Sequence, residues 1–276
     1  MLIAQITDPH MVPKESHWLS QPETEIRERF VRVIEYINRL HTRPDVVVLT
    51  GDATDEGDAA SYQHLKELLQ PLKTPFFVIP GNHDRREAMR AAFSHHAYMP
   101  KTGFIHYAVE EYPVRLVCLD TLVEGEHLGL LCKERMEWLE KTLEAEPEKP
   151  TLIFMHHPPA KTGTKLFDTM ICFAPPQLES LVREHHQVLG IMTGHYHHLC
   201  ITSFGGKSCF LAPSIAPVHY FAHPEDDQVS ALELEDPAIT FHYWHEGSRL
   251  RSHVVRVKDQ VRRIDWKMIQ ENRQRN

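Results

Sequence analysis

Runs of aliphatic residues alternate with amphipathic stretches through the first half of the chain. Residues 2–7, 46–50 and 76–79 are apolar and rich in branched side chains, which predicts strands. After the first of these, apolar residues recur every three or four positions, which predicts a helix of about five turns. The apolar face of this helix would consist of Ile26, Phe30, Val33, Ile34, Ile37 and Leu40. A second helix is predicted at residues 59–69, and the alternation is typical of an α/β layer structure.

The second half continues this alternation and then changes to strands alone. The pattern predicts strands at residues 105–109, 114–120, 152–156 and 188–193, and helices near residues 133–145 and 176–185. Beyond these, Gly205-Gly206 separates two strand-like runs and predicts a hairpin. Another pair of strands is expected at residues 229–234 and 239–244. No repeat or linker interrupts the pattern, so we expect one α/β (α+β) domain over residues 1–246.

The remaining residues, 247–276, form a C-terminal tail that is richer in Lys and Arg. Its apolar residues recur at helical spacing and leave basic residues on the other side, a stripe made of Val257, Val261, Ile264, Met268 and Ile269. Such a stripe needs a surface to cover. The tail is therefore expected to pack against the edge of its own sheet or against a partner subunit in a homo-oligomer.

Composition excludes several classes of protein. The 276 residues carry a formal net charge of −8, which disfavours a nucleic-acid polymer or an anionic membrane as partner. No apolar run approaches the roughly 20 residues of a membrane-spanning helix, and the N-terminus has no signal-peptide pattern, so we expect a cytoplasmic protein. The five cysteines form no CxxC pair, which favours reduced thiols over disulfides or a zinc finger.

The unusual residue is histidine, with 21 copies, many of them grouped with Asp or Asn at the ends of predicted strands. The groups are Asp8-Pro9-His10, Gly51-Asp52, Gly81-Asn82-His83-Asp84, His156-His157 and Gly194-His195-Tyr196-His197. Loops at the carboxyl ends of strands in α/β sheets gather ligands. Seven nitrogen and oxygen donors without a cysteine are too many for one tetrahedral zinc and suit two cations of the Fe, Mn, Co or Zn class.

Each group also has an ordinary structural interpretation. His156-His157 alone could be a strand end, Gly81-Asn82 a turn, and Asp8 a helix cap or loop acid. Core packing or capping does not readily produce five such groups in an order compatible with one sheet edge. The combination therefore favours a metal centre.

The series D-x-H, GD, GNH(D), H and GH-x-H, over roughly residues 1–200, resembles the calcineurin-like metallophosphoesterases. Its spacing is similar to that of the class III cyclic-nucleotide phosphodiesterase and glycerophosphodiesterase branch. The resemblance implies a four-layer α-β-β-α sandwich of two mixed sheets flanked by helices. It also implies two divalent metals: one held by Asp8, His10 and His197, the other by Asn82, His156 and His195, with Asp52 as the bridge. His156 matches the family ligand better than His157, although the doublet leaves the choice open.

In the same resemblance, His83 is the histidine beside the substrate phosphoryl group. Asp55 follows the bridging Asp52 by three residues, a spacing similar to the GDxxDxG step of phosphoprotein phosphatases, where that aspartate pairs with the equivalent histidine. Asp55 could equally cap the helix that begins near Asp58 or lie in solvent. Asp168 and His219, in two Pro- and His-containing loops, are further candidates for substrate contact.

A mechanism follows from formal charges. Two divalent cations, two carboxylates and a bridging hydroxide leave about +1 in the site, which matches the single charge of a phosphodiester. We therefore expect a phosphodiesterase in which the metal-bridging hydroxide attacks a small phosphodiester, either a 3′,5′-cyclic nucleotide or a glycerophosphodiester. The alternatives are a non-catalytic interaction scaffold of the same fold, a phosphomonoesterase, or a nuclease that the net charge disfavours. The sequence selects neither the substrate nor the metals.

Overall fold

The structure is a computed structural model that describes residues 1–219, 231–247 and 249–259. Its helices are α1 Glu23–Arg39, α2 Ala59–Leu69, α3 Arg86–Ala92, α4 Lys133–Ala145, α5 Lys165–Asp168 and α6 Gln177–Glu184. Its longer strands are β1 Leu2–Ile6, β4 Val46–Thr50, β5 Phe76–Ile79, β6 Tyr107–Val109, β7 Arg115–Leu119, β9 Thr151–Met155, β11 Val188–Thr193, β12 Cys200–Phe204, β13 Lys207–Leu211, β16 Ala238–Tyr243 and β17 Arg251–Arg256. The two-residue strands are β2 His17–Trp18, β3 Gln21–Pro22, β8 Gly129–Leu130, β10 Cys172–Phe173, β14 Val218–His219 and β15 Leu232–Glu233.

Two mixed sheets organise the described residues. The five-stranded sheet has the order β17-β16-β1-β4-β5, in which β1, β4 and β5 run parallel, β16 is antiparallel to β1, and β17 is antiparallel to β16. The six-stranded sheet has the order β12-β13-β11-β9-β7-β6, with four parallel strands between two antiparallel edge strands. The order of the parallel strands places their carboxyl ends at one edge of each sheet.

The layers follow from alternating side chains on the strands of the six-stranded sheet. Leu116 and Phe154 belong to the core that this sheet shares with the five-stranded sheet. Their neighbours Val117 and Ile153 pack in a second core with residues of α4 and α6. On the other side of the molecule, the apolar face of α1 is buried against the five-stranded sheet. These contacts confirm the predicted sandwich of two mixed sheets flanked by helices.

Several predicted elements are found with small changes. The hairpin at Gly205-Gly206 is confirmed, since β12 and β13 pair antiparallel on either side of it and both glycines have positive φ. The long helix begins at Glu23, after Pro22, which supplies no side-chain cap. Strands are expected at residues 229–234 and 239–244. Within the first range, the described residues contain the two-residue strand β15, which pairs with β14.

The C-terminal region contributes to the five-stranded sheet. Strand β17 pairs with β16 along its full length, from Tyr243 opposite Arg251 to Ala238 opposite Arg256, and Val257 is buried. The other members of the predicted tail stripe, Val261, Ile264, Met268 and Ile269, lie outside the described residues. The boundary at residue 246 and the oligomeric role of the tail stay predictions. None of the helices in the described part of the chain has the length and apolar character needed to cross a membrane.

Candidate metal centre

Seven buried donor side chains meet where the two sheets face each other. They follow β1 (Asp8, His10), β4 (Asp52), β5 (Asn82), β9 (His156) and β11 (His195, His197). Each of these residues exposes 6% or less of its surface. The seven residues predicted as metal ligands are thus gathered at one edge of the sandwich.

The backbone at these strand ends leaves regular geometry. Asp8, His10 and Asp52 have φ values of 49°, 46° and 44°, and His195 and His197 have 68° and 61°. Positive φ is uncommon for residues other than glycine and clusters at functional sites, where it re-aims side chains. The positive φ values turn the side chains of Asp8 and His10, and likewise those of His195 and His197, toward the same space.

Glycine is required beside two of the donors. At Gly51, with φ of +91°, an added Cβ would lie 2.3 Å from Nδ1 of His156. At Gly81, an added Cβ would lie 2.3 Å from Oδ1 of Asp52. The glycines of the GD and GN motifs therefore allow the backbone to pass directly against the side chains that form the cluster.

The first donor group consists of Asp8, His10 and His197, whose ligand atoms all lie within 4.8 Å of one another. His197 donates from Nδ1 to the backbone carbonyl oxygen of Pro217 at 3.0 Å, and His10 Nδ1 lies 3.1 Å from Oδ1 of Asp55. Both rings therefore turn Nε2 inward, where the two Nε2 atoms are 3.2 Å apart.

The second donor group consists of Asn82, His156 and His195. His156 donates from Nδ1 to the carbonyl oxygen of Thr50 at 2.8 Å, and its Nε2 lies 3.1 Å from Oδ1 of Asn82. His195 Nε2 is buried and has no hydrogen-bond partner within the described residues. Ring nitrogens of His156 and His195 lie within 4.8 Å of each other, close enough to bind one cation.

Asp52 lies between the two groups. Its Oδ2 is 3.3 Å from Nε2 of His156 and 3.7 Å from Nε2 of His10, one imidazole from each group. Its Oδ1 accepts a hydrogen bond from the backbone N–H of His83 at 2.9 Å. This is the placement that the bridging interpretation of Asp52 requires.

The two histidines of the doublet His156-His157 have different hydrogen-bond partners. His157 Nδ1 lies 2.8 Å from Oγ1 of Thr121, its ring packs against Gly129, and its buried Nε2 has no hydrogen-bond partner within the described residues. Both histidines group with His195 within 4.8 Å. The geometry favours His156 as the ligand, because its Nε2 is the one that reaches Asp52 and Asn82.

These residues fit two divalent cations. Nδ1 of His10 and Nδ1 of His197 both face oxygen acceptors, and their Nε2 atoms face each other at 3.2 Å. The buried carboxylates of Asp8 and Asp52 add negative charge, and the buried Nε2 of His195 has no hydrogen-bond partner within the described residues. Such an arrangement is unfavourable unless positive charge lies between the groups.

The protonation preferences differ between the histidines of the cluster. Burial, with the neighbouring charge of His156, lowers the pKa of His195 well below its usual value. Burial also lowers the pKa of His197 to about 3, and the charge of His10 acts in the same direction. Burial pushes the pKa of Asp52 upward, but the charge and hydrogen bond of His156 outweigh it and hold that pKa well below the usual range. Burial lowers the pKa of His156, but the charge and hydrogen bond of Asp52 outweigh it and raise that pKa to about 9, so a cation bound at this ring would replace a proton.

His83 lies at the rim of the cluster with a partly exposed side chain. Its Nδ1 donates to the backbone carbonyl oxygen of Asp55 at 2.8 Å and lies 3.2 Å from the carboxylate Oδ1 of the same residue. Burial lowers the pKa of His83, but the hydrogen bond to Asp55 and the charge of Asp52 raise it, to about 10. Bound cations would act in the opposite direction.

Asp55 makes contacts that the sequence did not reveal. Besides His83, its Oδ1 lies 3.1 Å from Nδ1 of His10 and accepts a hydrogen bond from Nε1 of Trp18 at 2.9 Å. Trp18 is on the two-residue strand β2 and stacks on the His10 ring, with centroids 5.0 Å apart. No pattern marks Trp18, because its contacts with Asp55 come only from the tertiary fold.

The two predicted substrate residues lie in different settings. The His219 ring is 5.1 Å from the ring of His197 and 5.2 Å from that of Phe167, at the edge of the first donor group. Oδ1 of Asp168 accepts hydrogen bonds from the backbone N–H of Thr162 at 2.6 Å and from its hydroxyl at 3.0 Å. Asp168 thus braces its own loop, and the substrate role of both residues stays a prediction.

Comparison with known proteins agrees with this geometry. The calcineurin-like phosphoesterase family model matches residues 1–199. A probable glycerophosphodiester phosphodiesterase, GpdQ, of Arcobacter nitrofigilis is 32% identical over 255 residues, 92% of each chain. The 3′,5′-cyclic adenosine monophosphate phosphodiesterase CpdA of Escherichia coli K12 is 30% identical over 213 residues, 77% of this chain and 75% of the relative. The fold also matches a dimetal phosphatase from Danio rerio, with a TM-score of 0.65, 14% identity, and coverage of 91% of this chain and 98% of that one.

Proposed function

Since the chain belongs to the calcineurin-like phosphoesterase family, we propose that it is a metal-dependent phosphodiesterase that hydrolyses small phosphodiesters. The observation that carries the proposal is the position of Asp52, whose Oδ2 lies 3.3 Å from His156 and 3.7 Å from His10. A carboxylate shared by two complete donor groups suits a pair of cations.

One cation would be held by Asp8, His10 and His197. The other would be held by Asn82, His156 and His195, and Asp52 would bind both. When bound, two such cations would polarise the phosphoryl group and supply a hydroxide nucleophile near neutral pH. The protein residues fix the donors in place beforehand. The Nδ1 hydrogen bonds of His156 to Thr50 and of His197 to Pro217 hold each ring with Nε2 facing inward.

His83 is proposed to handle the proton of the leaving group. Its Nδ1 is occupied by Asp55, so Nε2 is the atom free to hold a proton at the rim of the site. The backbone N–H of His83 also binds Oδ1 of Asp52, which places the ring beside the bridging carboxylate. An imidazole in this position can donate a proton to the departing alkoxide or bind a phosphoryl oxygen.

The charges around the site favour a diester over a monoester. A dianionic monoester is usually clamped by Arg or Lys. The guanidinium of Arg86 instead binds both carboxylate oxygens of Asp120, at 2.7 and 2.8 Å. Arg85 donates to the backbone carbonyl of Asp84 at 3.0 Å. Both guanidinium groups are thus engaged by protein oxygens, so the monoanionic phosphodiester is the better electrostatic match.

The relatives point to two substrate types within this class. One is a probable glycerophosphodiester phosphodiesterase and the other a cyclic adenosine monophosphate phosphodiesterase. A direct test compares hydrolysis of glycerophosphodiesters, 3′,5′-cyclic AMP and bis(para-nitrophenyl) phosphate by the purified chain loaded with Mn²⁺, Fe²⁺, Zn²⁺ or Co²⁺. We expect activity with at least one diester that is lost in His195→Ala and on chelation. Two bound metals per chain without hydrolysis of any diester would instead indicate a scaffold.

A further inference from the structure

One carboxylate, that of Asp55, connects the rim of the site to its interior. Its Oδ1 lies within hydrogen-bonding distance of three nitrogens: Nε1 of Trp18 at 2.9 Å, Nδ1 of His10 at 3.1 Å and Nδ1 of His83 at 3.2 Å. The closest partner of the His83 nitrogen is the backbone carbonyl of Asp55, at 2.8 Å, rather than the carboxylate. The side-chain oxygen is therefore available chiefly to His10 and Trp18.

The backbone fixes Asp55 beside His10. Beyond the ends of β1 and β4, the two segments of the chain continue side by side. The N–H of His10 donates to the carbonyl of Asp52 at 3.1 Å, and the N–H of Met11 donates to that of Ala53 at 3.2 Å. The N–H of Asp55 then donates to the carbonyl of Met11 at 3.0 Å. This ladder sets the separation of the Asp55 and His10 side chains independently of any ligand.

Trp18 closes the arrangement from the outside. Its side chain is buried, with 4% of the residue exposed, and it stacks on the His10 ring at an interplanar angle of 28°. Its indole N–H binds the same Asp55 oxygen that faces His10. A buried indole N–H requires an acceptor, and here that acceptor is the carboxylate that orients a proposed ligand.

We propose that Asp55 is a positioning residue for His10, and that Trp18 holds the Asp55 carboxylate in place. The carboxylate accepts the Nδ1 proton of His10, which leaves the Nε2 lone pair directed at His197 and Asp8. The inference rests on the proposed function only in taking the first donor group as a cation site. It adds a role for Asp55 that is separate from any pairing with His83.

The expected consequence is a selective effect on one of two cation sites. A carboxylate partner fixes the tautomer of a ligating imidazole and raises its basicity, and losing such a partner typically weakens metal binding about 10- to 100-fold. Asp55 has no hydrogen bond to Asn82, His156 or His195 within the described residues. The second donor group should therefore be nearly unaffected.

The test measures Mn²⁺ binding to the full-length chain in metal-buffered solutions, with bound metal counted per chain. Asp55→Ala is introduced into two single-site backgrounds, Asn82→Ala, which reports the first donor group, and His10→Ala, which reports the second. We expect about 10- to 100-fold weaker Mn²⁺ binding in the first background and less than about threefold change in the second. Equal losses in both backgrounds, or no loss in the first, would overturn the proposal.

Two conservative variants keep the test decisive if Asp55→Ala does not fold. Asp55→Asn retains an acceptor oxygen, and Trp18→Phe retains a ring on His10 but removes the indole N–H. Each should weaken only the first donor group, by less than Asp55→Ala does, and unchanged Mn²⁺ binding in both would contradict the role of Asp55. None of these measurements uses hydrolysis. A wild-type chain that binds two Mn²⁺ ions but cleaves no phosphodiester would overturn the proposed function, while the Mn²⁺ data would still decide the role of Asp55.

Discussion

Nδ1 of His156 donates a hydrogen bond to the backbone carbonyl oxygen of Thr50, 2.8 Å away, and the two residues belong to different sheets. Thr50 ends β4 in the five-stranded sheet, whereas His156 follows β9 in the six-stranded sheet. The bond turns Nε2 of His156 toward Oδ2 of Asp52 at 3.3 Å. The packing of the two sheets against each other thus sets the geometry of the metal centre.

Replacing the carboxylate between the two donor groups should weaken both of them. Asp52→Asn keeps the shape of the side chain but removes the negative charge shared by His10 and His156. We expect Mn²⁺ affinity at both sites to fall by more than the roughly 10-fold typical of losing an outer partner. Metal analysis after dialysis would show both occupancies decreasing together.

The matched control is Asp58→Asn. Asp58 caps α2 by accepting from the backbone N–H of Ala60 and Ser61, at 2.8 and 3.0 Å, and asparagine caps helices equally well. This variant should keep two metals per chain. An Asp52→Asn protein that also retained two metals and near-normal rates would contradict the bridging role.

The sequence predicts most of the framework and the donor set because both depend on local patterns. The continuous apolar run of β4 is buried at all five positions, as expected for a parallel strand covered on both faces. The contacts of Trp18 with His10 and Asp55 follow no such pattern. They depend on a two-residue strand and on chain segments 37 residues apart, which only tertiary packing brings together. The close contact between Gly51 and His156 could not be predicted either, because only tertiary packing brings these two residues together.

A second prediction concerns substrate charge. The guanidinium of Arg86 is bound to Asp120 and that of Arg85 to the backbone carbonyl of Asp84, so both are already engaged by protein oxygens. We expect kcat/KM for bis(para-nitrophenyl) phosphate to exceed that for para-nitrophenyl phosphate by about tenfold or more, or about 1.4 kcal/mol in transition-state stabilisation. The two substrates share a leaving group, so its pKa does not contribute to the difference. A strong monoester preference at neutral pH would contradict the diester assignment.

A third prediction concerns stability and pH, at a histidine away from the donor groups. His242 is fully buried between Gln5 and Ser252, with ring nitrogens 2.9 Å from Oε1 of Gln5 and 2.8 Å from Oγ of Ser252. Burial lowers the pKa of His242 from 6.5 to about 3. The unfolded chain therefore binds a proton below pH 6.5 that the folded chain does not. The free energy of unfolding decreases as the pH is lowered from about 6.5 to 3.

Between pH 7 and pH 5, this group should contribute about 2 kcal/mol to the loss of unfolding free energy. His242→Gln removes the titration while keeping a polar side chain between Gln5 and Ser252. Urea unfolding at the two pH values measures the decrease in unfolding free energy between pH 7 and pH 5. This decrease should be about 2 kcal/mol smaller in the variant than in the wild type, even if the variant is less stable overall. The control His41→Gln, at an exposed position, should keep the wild-type loss. An unchanged loss in His242→Gln would show that His242 does not titrate as described.

The last prediction concerns Asp55 and His83 as a pair. His83 Nδ1 lies 2.8 Å from the backbone carbonyl oxygen and 3.2 Å from the carboxylate of Asp55. The Asp55 side chain is therefore only one of two groups of this residue that orient the imidazole of His83. At saturating Mn²⁺, which removes any effect through His10, His83→Ala should lower kcat by about 10²- to 10⁴-fold, and Asp55→Asn by less. Both losses should be greatest for diesters with high-pKa leaving groups, because these depend most on proton donation.

The double variant separates a shared role from two independent ones. If the Asp55 carboxylate acts on catalysis only by orienting His83, it has no effect once the imidazole is absent, and Asp55→Asn/His83→Ala should match His83→Ala alone. If the two losses instead multiply, Asp55 acts on the reaction by a route that does not pass through His83. Because Mn²⁺ is saturating, reduced binding at His10 is excluded as that route. The backbone carbonyl of Asp55 remains in Asp55→Asn and still accepts the Nδ1 proton, so the single loss should be smaller than that of His83→Ala.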